Sequence, residues 1–253
     1  MSPRMSPRRI LATLAAAVLA LPATGLAPAS ASTRPAEVRT AAVPGLPGFD
    51  ISGTEDDVDW NAVKAKGATF VFISATEGTA HQYPNFTRLA AGARGAGLVV
   101  GAAHFAVPSA SGGAAQADYF ATHGGAWSAD HQTLPGTLDL EANPFGAVCY
   151  GLGQAAMENW ISGFVNEYRA RTGRWAIIYT TASWWTQCVG DSHAFAANDP
   201  LFIARVGTSP PASLPGGWGA YTFWQYASDG TFPGGQDVFN GTLAGLTRLA
   251  DVP

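Results

Sequence analysis

The sequence predicts an α/β fold: an irregular (β/α) barrel of eight strands with fewer than eight helices. Three observations carry that expectation. Eight short apolar runs recur along the 253 residues. Helical patterns separate the earlier runs, and alternating strands and helices point to a parallel sheet that eight strands can close into a barrel. In the last third the connections become rich in Gly, Pro and Ser and the helical pattern fades. An open doubly wound sheet is the rival arrangement, but no Gly-rich dinucleotide fingerprint follows the first run.

The first thirty or so residues belong to no strand. Arg4, Arg8 and Arg9 form a basic region, residues 10–21 an apolar run, and Ala29-Ser30-Ala31 a small-x-small cleavage pattern. That order is the layout of a signal peptide, and the apolar run is too short to span a bilayer. Residues 1–31 are therefore read as an export signal for a secreted, extracellular product that has no membrane attachment after cleavage. The paired Arg8 and Arg9 leave the export route open. Residues 32–46, rich in Ala, Pro and Thr, read as a flexible leader, and residues 47–253 as one barrel domain without internal repeats.

Within that domain the strands fall at 48–52, 69–74, 98–105, 136–141, 175–180, 201–205, 221–226 and 236–239. The clearest helix is 154–172, where Met157, Trp160, Ile161, Phe164, Val165 and Tyr168 make one apolar stripe and Gly173 supplies a stop. Residues 57–66, 85–97 and 114–123 carry weaker helical patterns.

Cleavage after residue 31 leaves 11 basic residues against 18 acidic ones, a net charge of −7. No Lys/Arg-rich block remains, which argues against a nucleic-acid partner. Cys149 and Cys188 are the only cysteines. An even count in an exported chain suggests one disulfide, with a loop-closure contribution of about 4 kcal/mol; two buried free thiols are the alternative.

Charged residues make up only 13% of the chain, so an acid inside an apolar strand is informative. Asp139 and Glu141 lie in Thr-Leu-Asp-Leu-Glu-Ala, and side chains at i and i+2 share a face of a strand. Both should face the barrel mouth while Leu138 and Leu140 pack on helices. Two strand rises set their Cα atoms roughly 6.5 Å apart. Like charges that close raise one carboxyl pKa, as a general acid requires. The pair ends its strand, where active sites of such barrels lie. Asp50 and Asp237 sit near the corresponding ends of the first and eighth strands, which are neighbours in a closed barrel. The alternatives are that Asp50 caps a turn before Gly53 and that Asp237 bonds its own loop backbone.

Tyr150, Tyr179, Trp184, Trp185, Trp224 and Tyr226 fall at or just after strand ends, and flat rings of this kind stack on sugars; a place in the core is the alternative for each. No GxSxG elbow is present. His81, His104, His123, His131 and His193 show no metal-binding spacing, and no metal or cofactor is expected. His104 ends the third strand, where it either reaches the cleft or is structural.

These residues together resemble glycoside hydrolase family 25, the Chalaropsis-type lysozymes, and within it the secreted actinobacterial branch. The motifs are GFDIS (48–52), ATEGT (75–79), HF (104–105), LDLE (138–141), IIYTT (177–181), FWQY (223–226) and QDVFNG (236–241). The resemblance implies hydrolysis of the β-1,4 bond between N-acetylmuramic acid and N-acetylglucosamine in peptidoglycan. It implies Glu141 as acid/base, Asp139 as the residue that holds the substrate's 2-acetamido group, and Asp50 and Asp237 as further acids of the site. Glu77, His104, Tyr179, Trp184 and Trp224 are the expected substrate-binding residues, glycan strands of peptidoglycan the partner, and a monomer the expected state. The course is either substrate-assisted or inverting with Asp237 as base. The chain departs from the family where Ser74 replaces a frequent Lys, where Ala103 replaces a frequent Tyr, and at Phe202 and Val206.

Overall fold

A computed structural model describes residues 43–251. The export signal and residues 32–42 of the leader lie outside the described residues. Eight strands close a barrel: β1 (Leu46–Ile51), β2 (Phe70–Glu77), β4 (Val99–Phe105), β5 (Thr137–Leu140), β6 (Ile177–Thr180), β7 (Leu201–Ala204), β8 (Phe223–Ala227) and β9 (Gly235–Phe239). A ninth, β3 (His81–Gln82), is a short hairpin arm on the end of β2. Around the ring the order is β1-β9-β8-β7-β6-β5-β4-β2, with β2 pairing back to β1. The first strand begins at Leu46, one residue inside the expected leader.

Among the described residues six helices accompany the strands: α1 (Trp60–Ala65), α2 (Phe86–Gly95), α3 (Gly113–Thr122), α4 (Gln154–Thr172), α5 (Ala182–Val189) and α6 (Leu243–Asp251). The stripe on α4 is buried at all six of the positions that predict it, and Gly173 ends the helix in the left-handed region at φ 75°. Helices α5 and α6 were not legible as helices. The first is only eight residues long and rich in Trp, Thr and Cys, weak helix formers; it starts where Thr181 Oγ1 accepts the Trp184 N–H at 3.2 Å.

The last strand corrects the expected parallel sheet. β9 runs antiparallel to both β1 and β8. The connection spanning residues 228–234 is too short for a parallel crossover, which needs about a dozen residues, so the chain turns back as a hairpin. Asp237 therefore lies near the start of its strand, and that start is at the mouth.

Alternation sorts the sheet into two apolar layers. Outward residues such as Phe49, Ile73, Val100, Leu138, Leu140, Ile178 and Ile203 pack beneath the helices. Inward residues Phe70, Phe72, Ile177, Phe202, Phe223 and Phe239 fill the barrel, and Leu246 and Ala250 of α6 join them at the end where the parallel strands begin. Edge-to-face pairs Phe70–Phe223 and Phe72–Phe223 have centroids 5.1 and 4.9 Å apart. Burial of each such side chain contributes about 1.5–3 kcal/mol. Gly101 permits this filling, since a Cβ there would run into the Phe72 ring. One end of the barrel is thus sealed with hydrocarbon, and its other end is left for polar chemistry.

Candidate active site

The inward face changes character toward the mouth. Thr137, Asp139, Tyr179 and Phe202 follow one another there with Asp50, Ser74, Ala103, Phe105 and Glu141 around a cavity of about 270 Å³. Strand register sets the neighbours: Asp139 pairs with Phe105 of β4 on one side and Tyr179 of β6 on the other. Leu138 and Leu140 are fully buried on the opposite face. The two carboxyls of the LDLE run therefore point into the cavity together.

Both have raised pKa values. Asp139 is surrounded by protein apart from its edge on the cavity. Burial, then the charge of Glu141, then that of Asp50 push its pKa well above the ordinary carboxyl range. Its Oδ1 has no hydrogen-bond partner among the described residues. Glu141 is raised too, chiefly by burial; the Tyr179 hydroxyl draws it back and Asp50 pushes it up. Two such groups titrate as a pair, in steps that belong to both. Both shifts favour retention of a proton by the pair to higher pH than for an ordinary carboxyl, and Glu141 is the member on the open side.

Asp50 is held from the side. Gln225 Nε2 donates to Asp50 Oδ2 at 2.6 Å, and Gln225 Oε1 accepts from the Tyr179 hydroxyl at 3.0 Å. Gly235 makes room, because a Cβ there would strike both Asp50 Oδ2 and Gln225 Nε2. Burial raises Asp50, while Gln225 and then Asp237 pull it back.

Asp237 lies behind Asp50 rather than on the cavity, between Gly48 and Gln225 in the sheet register, with none of its surface exposed. Burial, then the charge of Asp50, raise it well above the usual range. Neither of its oxygens meets a donor among the described residues, so a carboxyl–carboxyl bond to Asp50 forms only with a proton on one partner. Their contact lowers the pKa of Asp50 and raises that of Asp237. Three of the four expected acids line the cavity and the fourth backs one of them. This placement speaks against Asp237 as the base of an inverting reaction, since such a base must reach a water in the cleft.

Two of the expected substrate contacts are corrected. His104 faces outward, not into the cleft. It is fully buried, lies against the rings of Phe120 and Phe164, and is bonded at Nδ1 to Thr76 Oγ1 (2.8 Å) and at Nε2 to Gln116 Oε1 (3.0 Å). Burial lowers its pKa to about 4, so it is neutral at physiological pH. Trp224 is likewise outward and fully buried, donating Nε1–H to the Arg205 carbonyl at 2.7 Å. Phe105, Phe223 and Gln225, their neighbours in sequence, take the inward positions.

Tyr179 lines the cavity as expected, and Trp184 lines an adjoining one. Glu77 reaches the rim at the end of β2, pairing across the sheet with Phe105, next to Tyr83. Cys149 and Cys188 form a disulfide with Cα atoms 5.3 Å apart. Gln225 was missed, although a polar residue inside the apolar run FWQY was an available signal.

Comparison with known proteins accords with this architecture. The family model "Glycosyl hydrolases family 25" matches residues 49–235. Lysozyme M1 of Streptomyces globisporus is 46% identical over 212 residues, covering 82% of this chain and 72% of that protein. The N,O-diacetylmuramidase of a Chalaropsis species is 43% identical over 206 residues, 80% of this chain and 98% of its own. The solved family GH25 lysozyme from Aspergillus fumigatus superposes with a TM-score of 0.81 at 46% identity, covering 82% of this chain and all of that one.

Proposed function

The chain belongs to glycosyl hydrolase family 25, and from that premise we propose how its residues carry out the reaction. The protein is a lysozyme, an N-acetylmuramidase that hydrolyses the β-1,4 bond between N-acetylmuramic acid and N-acetylglucosamine. Glu141 gives its proton to the bridging oxygen as the C1–O bond breaks, and the raised pKa keeps that proton available near neutral pH. Asp139 stabilises the positive charge that develops at the anomeric carbon, directly or by holding the 2-acetamido group. Asp50 adds negative charge on the same cavity, with Asp237 sharing its proton from behind. Tyr179 and Gln225 link the two halves of the site.

The observation that carries this assignment is the placement of Asp139 and Glu141 on one strand face, in one cavity, both with raised pKa. Peptidoglycan glycan strands are the substrate. The basic, apolar and small-residue sequence of residues 1–31 supports export of a product that begins at Ser32; N-terminal sequencing of protein from the culture medium checks it.

Mass spectrometry of digests of purified walls tests the reaction. Fragments with a new reducing end at muramic acid are expected from the wild type and not from Glu141→Gln. Fragments with a reducing end at glucosamine, or equal yields from the two proteins, would overturn the assignment. The Ser74 and Ala103 departures lie in the wall of this same cavity. They favour a second reading, a wall-binding protein of slow turnover, which predicts retention on walls without release of reducing ends.

A further inference from the structure

The two ends of the barrel carry opposite charge. Acids line the mouth. At the other end, where the parallel strands begin, two cavities of about 500 and 340 Å³ share Arg174 and Leu249 in their walls. Arg169, Trp175 and Asn198 also line the first, Arg248 and Phe239 the second, and no carboxyl lines either. We infer that these cavities form one binding groove for an anionic chain of phosphodiesters, held by the guanidinium groups of Arg169, Arg174 and Arg248.

Arg174 is the side chain that the needs of the fold leave unexplained. It is only 8% exposed, yet it borders both cavities. Its Nη2 donates to the Leu249 carbonyl at 2.9 Å, and its guanidinium lies over the Trp127 ring, 4.7 Å from the centroid. Its Nη1 is buried with no partner among the described residues. A buried charged donor left unsatisfied is costly, and an oxyanion in the groove supplies the missing acceptor. Arg169, its guanidinium 4.3 Å over the Trp175 ring, and Arg248 are both exposed. Each stands in the last turn of its helix, α4 or α6, where a cation also complements the helix dipole. The dipole does not account for Arg174, which follows Gly173 outside α4. The ion pairs among the described residues leave all three arginines out, whereas Arg171 is taken up by Asp118 and Glu167, and Asp251 of α6 by His131. Asp199 stands between the lining residues Asn198 and Pro200 without joining the lining. Burial raises its pKa to about 8, so it adds little negative charge at neutral pH.

Guanidinium forks bind the oxygens of phosphate and of carboxylate. The arrangement here favours phosphodiesters. Three cations are strung over two cavities, so the matching ligand carries its charges in series. Between them the walls are uncharged, with Trp175, Leu249 and Phe239 among the lining. A polyol phosphate chain has the same pattern, single negative charges separated by neutral carbon spacers. The net charge of −7 left after residue 31 repels such a chain at long range, so the grip is local to the groove. The groove takes no part in the hydrolysis proposed above. With a glycan strand in the mouth, a second contact to an anionic polymer of the same wall raises the local concentration of substrate.

The test is equilibrium binding of a short synthetic glycerol phosphate oligomer to the whole protein. Arg169→Gln and Arg248→Gln, both at exposed positions where folding is not at risk, should each lower its affinity about three- to fivefold. The two together should lower it about tenfold or more. Arg171→Gln, which removes a neighbouring charge already paired with acids, should change it by less than about twofold. In nitrogen-15 spectra of the guanidinium groups the oligomer should move the Arg174 signal and leave that of Arg171 in place. Affinity should fall with added salt, less steeply in the Arg169 and Arg248 variants. Hydrolysis of a soluble peptidoglycan tetrasaccharide should be the same in these variants as in the wild type. Absence of oligomer binding, equal losses from Arg171→Gln and Arg169→Gln, or an unmoved Arg174 signal would overturn the groove. Equal or tighter binding of an oligoglutamate of the same charge would overturn the phosphodiester assignment. The muramidase reading fails separately, if the wild type leaves the tetrasaccharide uncut.

Discussion

Two buried polar sites face each other across the thickness of one sheet. On the outer face His104 has a partner at each ring nitrogen, rings against it and no exposed surface. On the inner face Asp139, whose sheet neighbour Phe105 follows His104 in the chain, has an oxygen with no partner and a cavity beside it. Evolution of a stable core satisfies polar groups where they are buried. Leaving a carboxyl unsatisfied costs about 1–3 kcal/mol or more, and the cost persists where the group acts. The difference separates a histidine whose polar atoms the fold satisfies from an acid left free for the catalytic role proposed for it.

The largest effect expected from breaking this contrast is at Glu141. Glu141→Gln should lower kcat on peptidoglycan by about 10²–10⁴, with the circular dichroism spectrum and melting temperature nearly unchanged. Asp139→Asn comes next, with a loss in kcat of about 10²–10³, read by reducing-end release. It should also stabilise the fold at neutral pH, because a buried carboxyl with nothing to pair with is replaced by an amide. A drop in melting temperature there would mean that Asp139 is structural after all.

His104→Ala should behave in the opposite way. The loss of a filled volume and of two bonds costs about 2–4 kcal/mol of stability, while kcat of the folded fraction stays near wild type. The pH dependence differs in sign as well. With a folded pKa of about 4 against 6.5 unfolded, His104 keeps its proton off in the native state. Its stabilising effect is whole above pH 6.5 and is lost as pH falls toward 4, by about 3 kcal/mol at most. The raised acids penalise the fold in the other direction, as pH climbs past their ordinary values. Urea denaturation of wild type and variant across that range separates the two.

Asp199 sharpens the contrast from outside the mouth. It is a third buried group, 3% exposed, with Oδ1 unpartnered among the described residues and a pKa pushed up to about 8 by burial, against a smaller pull from Arg169. It lies just ahead of β7, at the hydrocarbon end, so its cost has no catalytic return. Asp199→Asn should raise stability increasingly between pH 4 and 8, by about 1–3 kcal/mol at neutral pH, with kcat unmoved. Tyr179→Phe carries the smallest effect. Loss of its hydroxyl, which lowers the Glu141 pKa, should shift the alkaline limb of kcat/KM upward and reduce kcat by about two- to tenfold.

Alternation made the face of Asp139 and Glu141 legible, because Leu138 and Leu140 bracket them with burial on the other side. The same alternation places His104 and Trp224 outward, once Phe105 and Gln225 are taken as inward; position at a strand end had suggested otherwise. Depth was the harder quantity. Strand periodicity says which way Asp237 points, not that Asp50 and Gln225 stand between it and the cavity. Strand direction was hidden in the length of the 228–234 connection. The eight-residue α5, with its paired tryptophans, carries too little period to announce a helix, although its Trp184 lines the cavity that adjoins the mouth.

Carbon-13 NMR of the side-chain carboxyls, titrated in the free protein, tests the proton inventory of the mouth most directly. Asp139 and Glu141 should titrate in coupled steps, with at least one above the ordinary range of about 3.9–4.3, and Glu141→Gln should bring Asp139 down. Independent titration of both near 4, leaving each ionised at neutral pH, would contradict the role of Glu141 as a ready proton donor.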